Sequence, residues 1–303
     1  MVDLEVKRSE LLPLPSMSRE EMLEIQRRAS EAAVFESPGS DGFNGSTDFS
    51  VADHFSLSSR AGSVPEDPFV AVGVDQAFQE DSVVAAAVAI EYGSHVDSGN
   101  LSETETVAGD VVQGKVVSRS YAERPVETPY IPGLLSYREG MSVVEVLTGM
   151  DLETEPDFLL LDGSGRIHYR QAGLATHVGV VLDLPAVGVA KSLLCGEPYE
   201  GDHGNFTRKV EKFEEKGFLD GGEALLVRAD EDVEGEGDIG YVYQTRQYDT
   251  PEKRHINPVY ISPGHLVTNE AAVELVERTV GRHKLPEPVF EADRYADEVK
   301  NDL

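Results

Sequence analysis

The sequence predicts an α/β fold on one mixed sheet, an antiparallel three-strand meander extended by parallel strands and flanked by helices. Three observations carry this expectation. Apolar runs at Phe69 to Asp75, Val83 to Ile90 and Val111 to Val117 follow one another, separated by turn residues rather than by a helical pattern. From Ser136 onward, helical and strand patterns alternate, which calls for right-handed crossovers and parallel neighbours. No apolar stretch approaches the roughly 20 residues that span a bilayer, so no membrane partner is expected.

The elements follow in order. Ser18-Arg-Glu-Glu21 has capping-box spacing, and Met22, Ile25, Ala29 and Ala32 recur at helical intervals, so a helix is expected over 18–34. Before it, Met1 to Lys7 has neither a basic nor an apolar leader region, and the expected compartment is the cytoplasm. Residues 37–67 turn to Ser, Gly, Asp and Asn without periodicity and read as a flexible insertion. The first strand, Phe69 to Asp75, ends in an acid. The second is bounded by Asp81 and Gly93, and an acidic loop from Ser94 to Gly109 leads to the third. Ser136 to Met150 is helical, with Val143, Val146, Leu147 and Met150 on one face. Phe158 to Leu161 is a buried strand stopping at Asp162, and Leu174 to Leu182 is an almost wholly apolar helix. Ala186 to Ala190 is a strand ending at Lys191. A hairpin over Leu225 to Tyr243, a strand at Pro258 to Ser262 and an amphipathic helix from Asn269 to Val280 close the chain. Three meander strands followed by helix–strand repeats is the ribonuclease H-like plan. At 303 residues, one domain with its core at about 69–293 is expected.

Charge is the awkward feature. The chain carries 56 acidic residues against 26 basic ones, a net charge of −30, whereas a nucleic-acid binder is expected to present a basic face. Either the substrate is not nucleic acid or the acidity is a solubility adaptation on solvent-facing positions. The second reading is favoured because the acids gather in loops and polar faces, at Glu211, Glu214 and Glu215 and from Asp230 to Asp238. In molar salt the Debye length falls to about 3 Å, so such a field would barely repel DNA. A cell of high internal salt is the hypothesis; a fold and activity indifferent to added salt would count against it. Cys195, the only cysteine, excludes an intramolecular disulfide and leaves no cysteine-rich zinc site. There is no HExxH and no P-loop, and Gly163-Ser-Gly165 lacks the form of a hydrolase nucleophile elbow.

Several residues are candidates for chemistry. Asp75 and Asp162 follow buried strands and would converge if those strands are neighbours; hard carboxylate oxygens suit Mg²⁺, which accepts one or two of them. An Asp after a strand is also an ordinary turn residue, Asp162-Gly163 especially. Glu139 stands in Ser136-Tyr-Arg-Glu139, which reads equally as a capping box returning Glu139 to the Ser136 amide. Lys191 could neutralise charge developing on a phosphate, or be an exposed strand-end lysine. His265, after Ile261-Ser-Pro-Gly, could ligate a metal or protonate a leaving oxygen, or be a loop histidine. His177, inside the apolar helix, reads as a core residue. Tyr130-Ile131-Pro132-Gly133 joins a planar ring to a rigid turn, suiting either a base-unstacking wedge or a packed corner.

Taken in order, these blocks resemble the endonuclease V family. The resemblance rests on Val72-Gly-Val-Asp75, Pro129 to Glu139, Asp162-Gly-Ser-Gly-Arg-Ile-His168, Gly173-Leu-Ala-Thr-His177, Gly188-Val-Ala-Lys191, Gly264-His265 and Leu285-Pro-Glu-Pro288 with Ala292-Asp293. It spans approximately Phe69 to Asp293. The resemblance implies a ribonuclease H-like fold and a Mg²⁺-dependent hydrolase, with Mn²⁺ able to substitute. It implies cleavage of the second phosphodiester bond 3′ to deoxyinosine. Carried onto this chain, Asp75 and Asp162 would hold the metal, Glu139 would complete the cluster, and Lys191 and His265 would assist at the phosphate. Tyr130, with Ile131 to Gly133, would form the wedge; Gly133 and Gly163 would line a lesion pocket, with His168 supporting it from behind. Ser164 and Tyr169 depart from the family, which usually has histidine and proline there. Inosine-containing RNA is the alternative substrate, a non-catalytic inosine-binding protein the alternative class, and a monomer the expected state.

Overall fold

A computed structural model describes residues 1–35, 68–79, 81–93, 105–107, 114–199 and 221–303. The insertion expected at 37–67, Glu211, Glu214, Glu215 and most of the 94–109 loop lie outside the described residues.

Helix α1 (Arg19–Ala32) begins at the capping box expected for it: the Ser18 hydroxyl accepts from the Glu21 amide, and Glu21 Oε2 accepts from the Ser18 amide at 2.8 Å. Strands β1 (Phe69–Phe78), β2 (Ser82–Tyr92) and β4 (Lys115–Pro125) form the meander, with Asp75 opposite Ala86 in the β1–β2 ladder. The third strand is therefore later than the sequence reading placed it, and 111–113 lie outside the described residues. Short β3 (Glu105–Val107) pairs with β10 (Arg246–Tyr248) in a separate two-stranded sheet.

The main sheet has nine strands in the order β4-β2-β1-β5-β6-β11-β9-β8-β7, where β5 is Phe158–Leu161, β6 Ala186–Ala190, β7 Glu197–Tyr199, β8 Glu223–Arg228, β9 Asp238–Gln244 and β11 Val259–His265. Beside β1, β5 and β6 run parallel. They are linked through α3 (Leu174–Leu182), the crossover a parallel neighbour requires. The parallel extension stops there. Strand β11 lies antiparallel to both β6 and β9, because β8 and β9 form the expected hairpin and β11 folds back along it. The result is the mixed, helix-flanked ribonuclease H-like sheet.

Side chains alternate between two apolar layers. Val72, Val74, Leu159 and Leu161 pack beneath α1, α2 (Leu135–Thr148) and α3. Ala71, Phe158, Leu160, Val187 and Val189 pack beneath α4 (Asn269–Thr279) and α5 (Glu287–Asp302). Helix α5 is absent from the sequence reading, which ended the chain's helices at Val280. Its start is disguised by Leu285-Pro-Glu-Pro288, yet prolines suit a first helical turn, and Val289, Ala292, Ala296 and Val299 line its buried face. It lies so close to β1 that a Cβ on Gly73 would collide with the Pro288 backbone. That contact, two residues before Asp75 and on the same strand face, fixes what α5 can deliver to the sheet's end. Among the described residues no helix is long and apolar enough to cross a membrane.

Candidate active site

Open α/β sheets place ligands beyond the carboxyl ends of their parallel strands. Asp75 is not the end of β1, which continues three residues to Phe78, but it stands where the parallel neighbour β5 stops. The Asp162 amide donates to the Val74 carbonyl at 2.9 Å, carrying the ladder one residue past β5 and setting Asp162 beside Asp75. Lys191 follows β6 in the same way. Its Nζ lies 2.6 Å from Asp162 Oδ2, 3.3 Å from Asp293 Oδ1 and 3.7 Å from Asp75 Oδ2. Asp293 comes from α5. In the sequence Asp293 stands out only within the resembling tail; the 3- and 4-residue apolar spacing around it is the signal that it lies on a helix.

Glu139 reaches the cluster from α2. The capping-box reading is overturned, because the N-cap is Leu134, two residues earlier, and Ser136 lies inside the first turn with its hydroxyl buried. Glu139 is 5 % exposed and no side chain among the described residues bonds its carboxyl group. Burial pushes it up to about 8; Arg138 opposes this and the charge of Asp162 adds to it. Asp75, also 5 % exposed, is raised by burial, by Asp162 and by a hydrogen bond with Asp293, against Lys191 and the Gln76 amide, which donates to Oδ1 at 2.7 Å. Burial alone would lower the Lys191 ammonium, but Asp162, Asp75 and Asp293 outweigh it and hold it above the ordinary range.

Three carboxyl groups thus meet one ammonium, with Glu139 within the field of Asp162, and Asp75 and Glu139 are driven towards protonation. Hard oxygen donors in this number fit a divalent cation, and Lys191 already stands among them as a monovalent stand-in. Among the described residues, no three donor side chains stand close enough together to hold a metal ion as they are placed. The donors fit such an ion by type, and Lys191 would have to be drawn away from Asp162 to admit it.

Beside the cluster is the Tyr130 loop. Tyr130 is 62 % exposed, so its ring is not a packed corner. The Leu134 amide donates to the Ile131 carbonyl at 2.9 Å, closing a turn with Pro132 and Gly133 at its centre. Gly133 has φ +76°, as a type II turn requires at that position. Arg138, one residue before Glu139, stands 4.2 Å from the Phe78 ring centroid and 6.0 Å from that of Tyr130. No carboxylate forms an ion pair with it among the described residues, so it supplies positive charge beside the wedge of an acidic chain. Gly163, directly after Asp162, is the pocket candidate nearest the acids. His168 is fully buried behind this loop, and burial pushes its imidazole down to about 3, so it is neutral.

His265 is elsewhere. It pairs with Ala186, the first residue of β6, whereas Lys191 follows the last; the antiparallel ladder separates them by five residues, about 17 Å at the usual rise. Its Nδ1 accepts from the Val34 amide at 3.1 Å and Nε2 bonds Asp183 Oδ1 at 3.2 Å. Burial lowers the imidazole while Asp183 opposes the fall. The catalytic role expected for His265 is thus corrected: reversing the strand carried it to the opposite end of the sheet. His177 is the core residue expected, with Nε2 donating to the Leu11 carbonyl at 2.6 Å.

Comparison with known proteins follows the same lines. The Endonuclease V family model matches residues 95–294. Endonuclease V of the haloarchaeon Haloarcula marismortui is 43 % identical over 299 residues, covering 97 % of this chain and 96 % of that one. Endonuclease V of Halobacterium salinarum is 41 % identical over 297 residues, covering 97 % and 98 %. Among solved structures, human ENDOV superposes with a TM-score of 0.63 at 22 % identity, over 94 % of this chain and 99 % of that one. Ciona intestinalis Endonuclease V in complex with a 24mer DNA containing an inosine followed by a ribo-adenosine gives 0.63 at 20 % identity, over 94 % and 98 %. With this fold, this order of motifs and these full-length relatives, the chain belongs to the Endonuclease V family of DNA-repair nucleases.

Proposed function

We propose that this nuclease hydrolyses the second phosphodiester bond 3′ to deoxyinosine in DNA, with Mg²⁺, or Mn²⁺ in its place, held by Asp75 and Asp162 and the cluster completed by Glu139 and Asp293. The observation that carries the reading is the meeting of Asp75, Asp162 and Asp293 on Lys191 at the carboxyl end of the parallel strands, with buried Glu139 in the field of Asp162 and an exposed tyrosine in the loop before its helix. When bound, such an ion polarises a phosphoryl oxygen and lowers the pKa of a coordinated water. Lys191, released from Asp162, neutralises charge on the phosphate in the transition state. Tyr130, with Ile131 and Pro132 behind it, fills the gap left by the flipped base, while Gly133 and Gly163 let backbone approach hypoxanthine. Arg138 balances a flanking phosphate. The DNA partner accords with the inosine-containing strand bound by the Ciona relative. The protein works as a monomer in the cytoplasm.

A nicking assay tests this with strands bearing one deoxyinosine, one inosine or neither, with and without Mg²⁺, across a salt series. One Mg²⁺-dependent cut on the 3′ side of deoxyinosine is expected. Cleavage of the inosine strand alone would move the substrate to RNA, and binding without cleavage would remove the enzyme reading.

A further inference from the structure

The wedge turn is braced from an unexpected direction. Gln26 lies on α1, more than a hundred residues from Tyr130, and is wholly buried. Its Nε2 donates to the Ala172 carbonyl at 2.9 Å, which orients the amide and leaves Oε1 to accept from Arg170 Nε at 2.5 Å. Arg170 passes the constraint on: Nη2 donates to the Gly133 carbonyl at 2.8 Å. His168 Nε2 lies 3.1 Å from the same oxygen, and its Nδ1 accepts from the Arg170 amide at 3.2 Å. The neutral ring therefore carries its proton on Nε2 and donates it to Gly133. Gln26 Nε2, 3.5 Å from His168 Nε2, then faces another donor and makes no bond there.

Both donors fall on one carbonyl, while the Leu134 amide of the same peptide is held by Ile131. The peptide plane after Gly133 is consequently fixed on both sides, at the glycine whose φ of +76° makes the turn. Arg170 has no carboxylate in ion-pair contact among the described residues. Its guanidinium is directed instead by two neutral oxygens, of which Gln26 supplies one, an expensive arrangement if it served only to bury a cation.

We infer that Gln26 is a positioning residue for base recognition, setting the Ile131–Leu134 turn through Arg170 so that the wedge and pocket keep one geometry. The inference rests on the proposed reading of that turn as the lesion-binding element. Helix α1 is then part of the recognition apparatus rather than a peripheral cover.

The test measures binding of the full chain to a deoxyinosine strand and a matched deoxyadenosine strand, by fluorescence anisotropy without divalent metal. Gln26→Met, Arg170→Met, the double variant and Gln26→Glu are compared, with Mn²⁺ titration of each. Gln26→Met and Arg170→Met should each reduce the preference for deoxyinosine by about tenfold, as expected for one mis-set hydrogen-bonded element. The double variant should lose little more than either single, because both break one chain of contacts. Gln26→Glu, which keeps the acceptor for Arg170, should retain most of the preference, and Mn²⁺ binding should be unchanged in all four. Unchanged preference in Gln26→Met, or losses that multiply in the double variant, would overturn the inference. Should Gln26→Met fail to fold, full preference in Arg170→Met, at a partly buried position, would overturn it as well. If the natural chain itself has no preference, the proposed substrate falls too; a preference in the natural chain that ignores Gln26 and Arg170 sinks this inference alone.

Discussion

The two ends of the parallel strands make an instructive contrast. At the carboxyl end, Asp75, Asp162 and Asp293 gather on Lys191, with Glu139 balanced in part by Arg138, and Asp75 and Glu139 are still pushed towards protonation. At the other end, His265 is buried as Asp75 and Glu139 are, but an amide and a carboxylate satisfy both of its nitrogens. Burial is common to both ends; unmet bonding capacity is found at one. Excess charge without matching partners destabilises a fold unless something else binds there, so the carboxyl end is where chemistry is expected.

The largest effect expected from breaking that contrast is at Asp162. Asp162→Ala should lower nicking by about 10³-fold or more, the scale of a lost metal ligand, with the circular dichroism spectrum unchanged. Next, Lys191→Met should reduce the single-turnover rate by roughly 10²-fold, as loss of one charge-stabilising group does. Tyr130→Ala should weaken binding of deoxyinosine DNA by about tenfold, the worth of one base–aromatic stack, and leave Mn²⁺ affinity as it was. His265→Gln should keep cleavage within about twofold while lowering stability to urea by about 1–2 kcal/mol. If that variant lost activity in step with Asp162→Ala, the two ends could not be assigned separate roles.

A comparable effect, without any loss of cleavage, is expected on the pH dependence of stability. His177 has its pKa lowered from 6.5 to about 4 by burial, so between those values the unfolded chain binds the extra proton. Its contribution to stability is complete above pH 6.5 and is lost as the pH falls towards 4. Between pH 6.5 and 5 this amounts to about 2 kcal/mol, and a His177→Gln variant should lose that much less than the natural chain on acidification.

Much of this was legible in the sequence because strong local patterns agree with the final packing. Phe158-Leu-Leu-Leu161 is apolar on both faces and can only be a central strand, which fixes Asp162 at its end. Ser18 to Glu21 closes the capping box its spacing advertises. The failures came where tertiary contacts decide. Ser136 to Glu139 has the same spacing, but Leu134 starts that helix and burial turns Ser136 away from any capping role. The direction of β11 depends on the hairpin beside it, and no residue in Val259 to His265 encodes that. Asp293 was hidden because its helix opens with two prolines, and its place depends on Gly73 admitting that helix to β1. Among the acids from Asp230 to Asp238, Glu234 is not merely solvated but paired through both carboxylate oxygens with Arg27 of α1 at 3.0 Å.

The most direct measurement is a Mn²⁺ titration followed by electron paramagnetic resonance, comparing the natural chain with Asp75→Asn, Asp293→Asn and His265→Gln. The natural chain and His265→Gln should bind the ion alike, whereas each Asp→Asn variant should bind it at least about tenfold more weakly. Loss of the ion in His265→Gln, with full binding in the two Asp→Asn variants, would put the metal at the wrong end of the sheet and contradict the account.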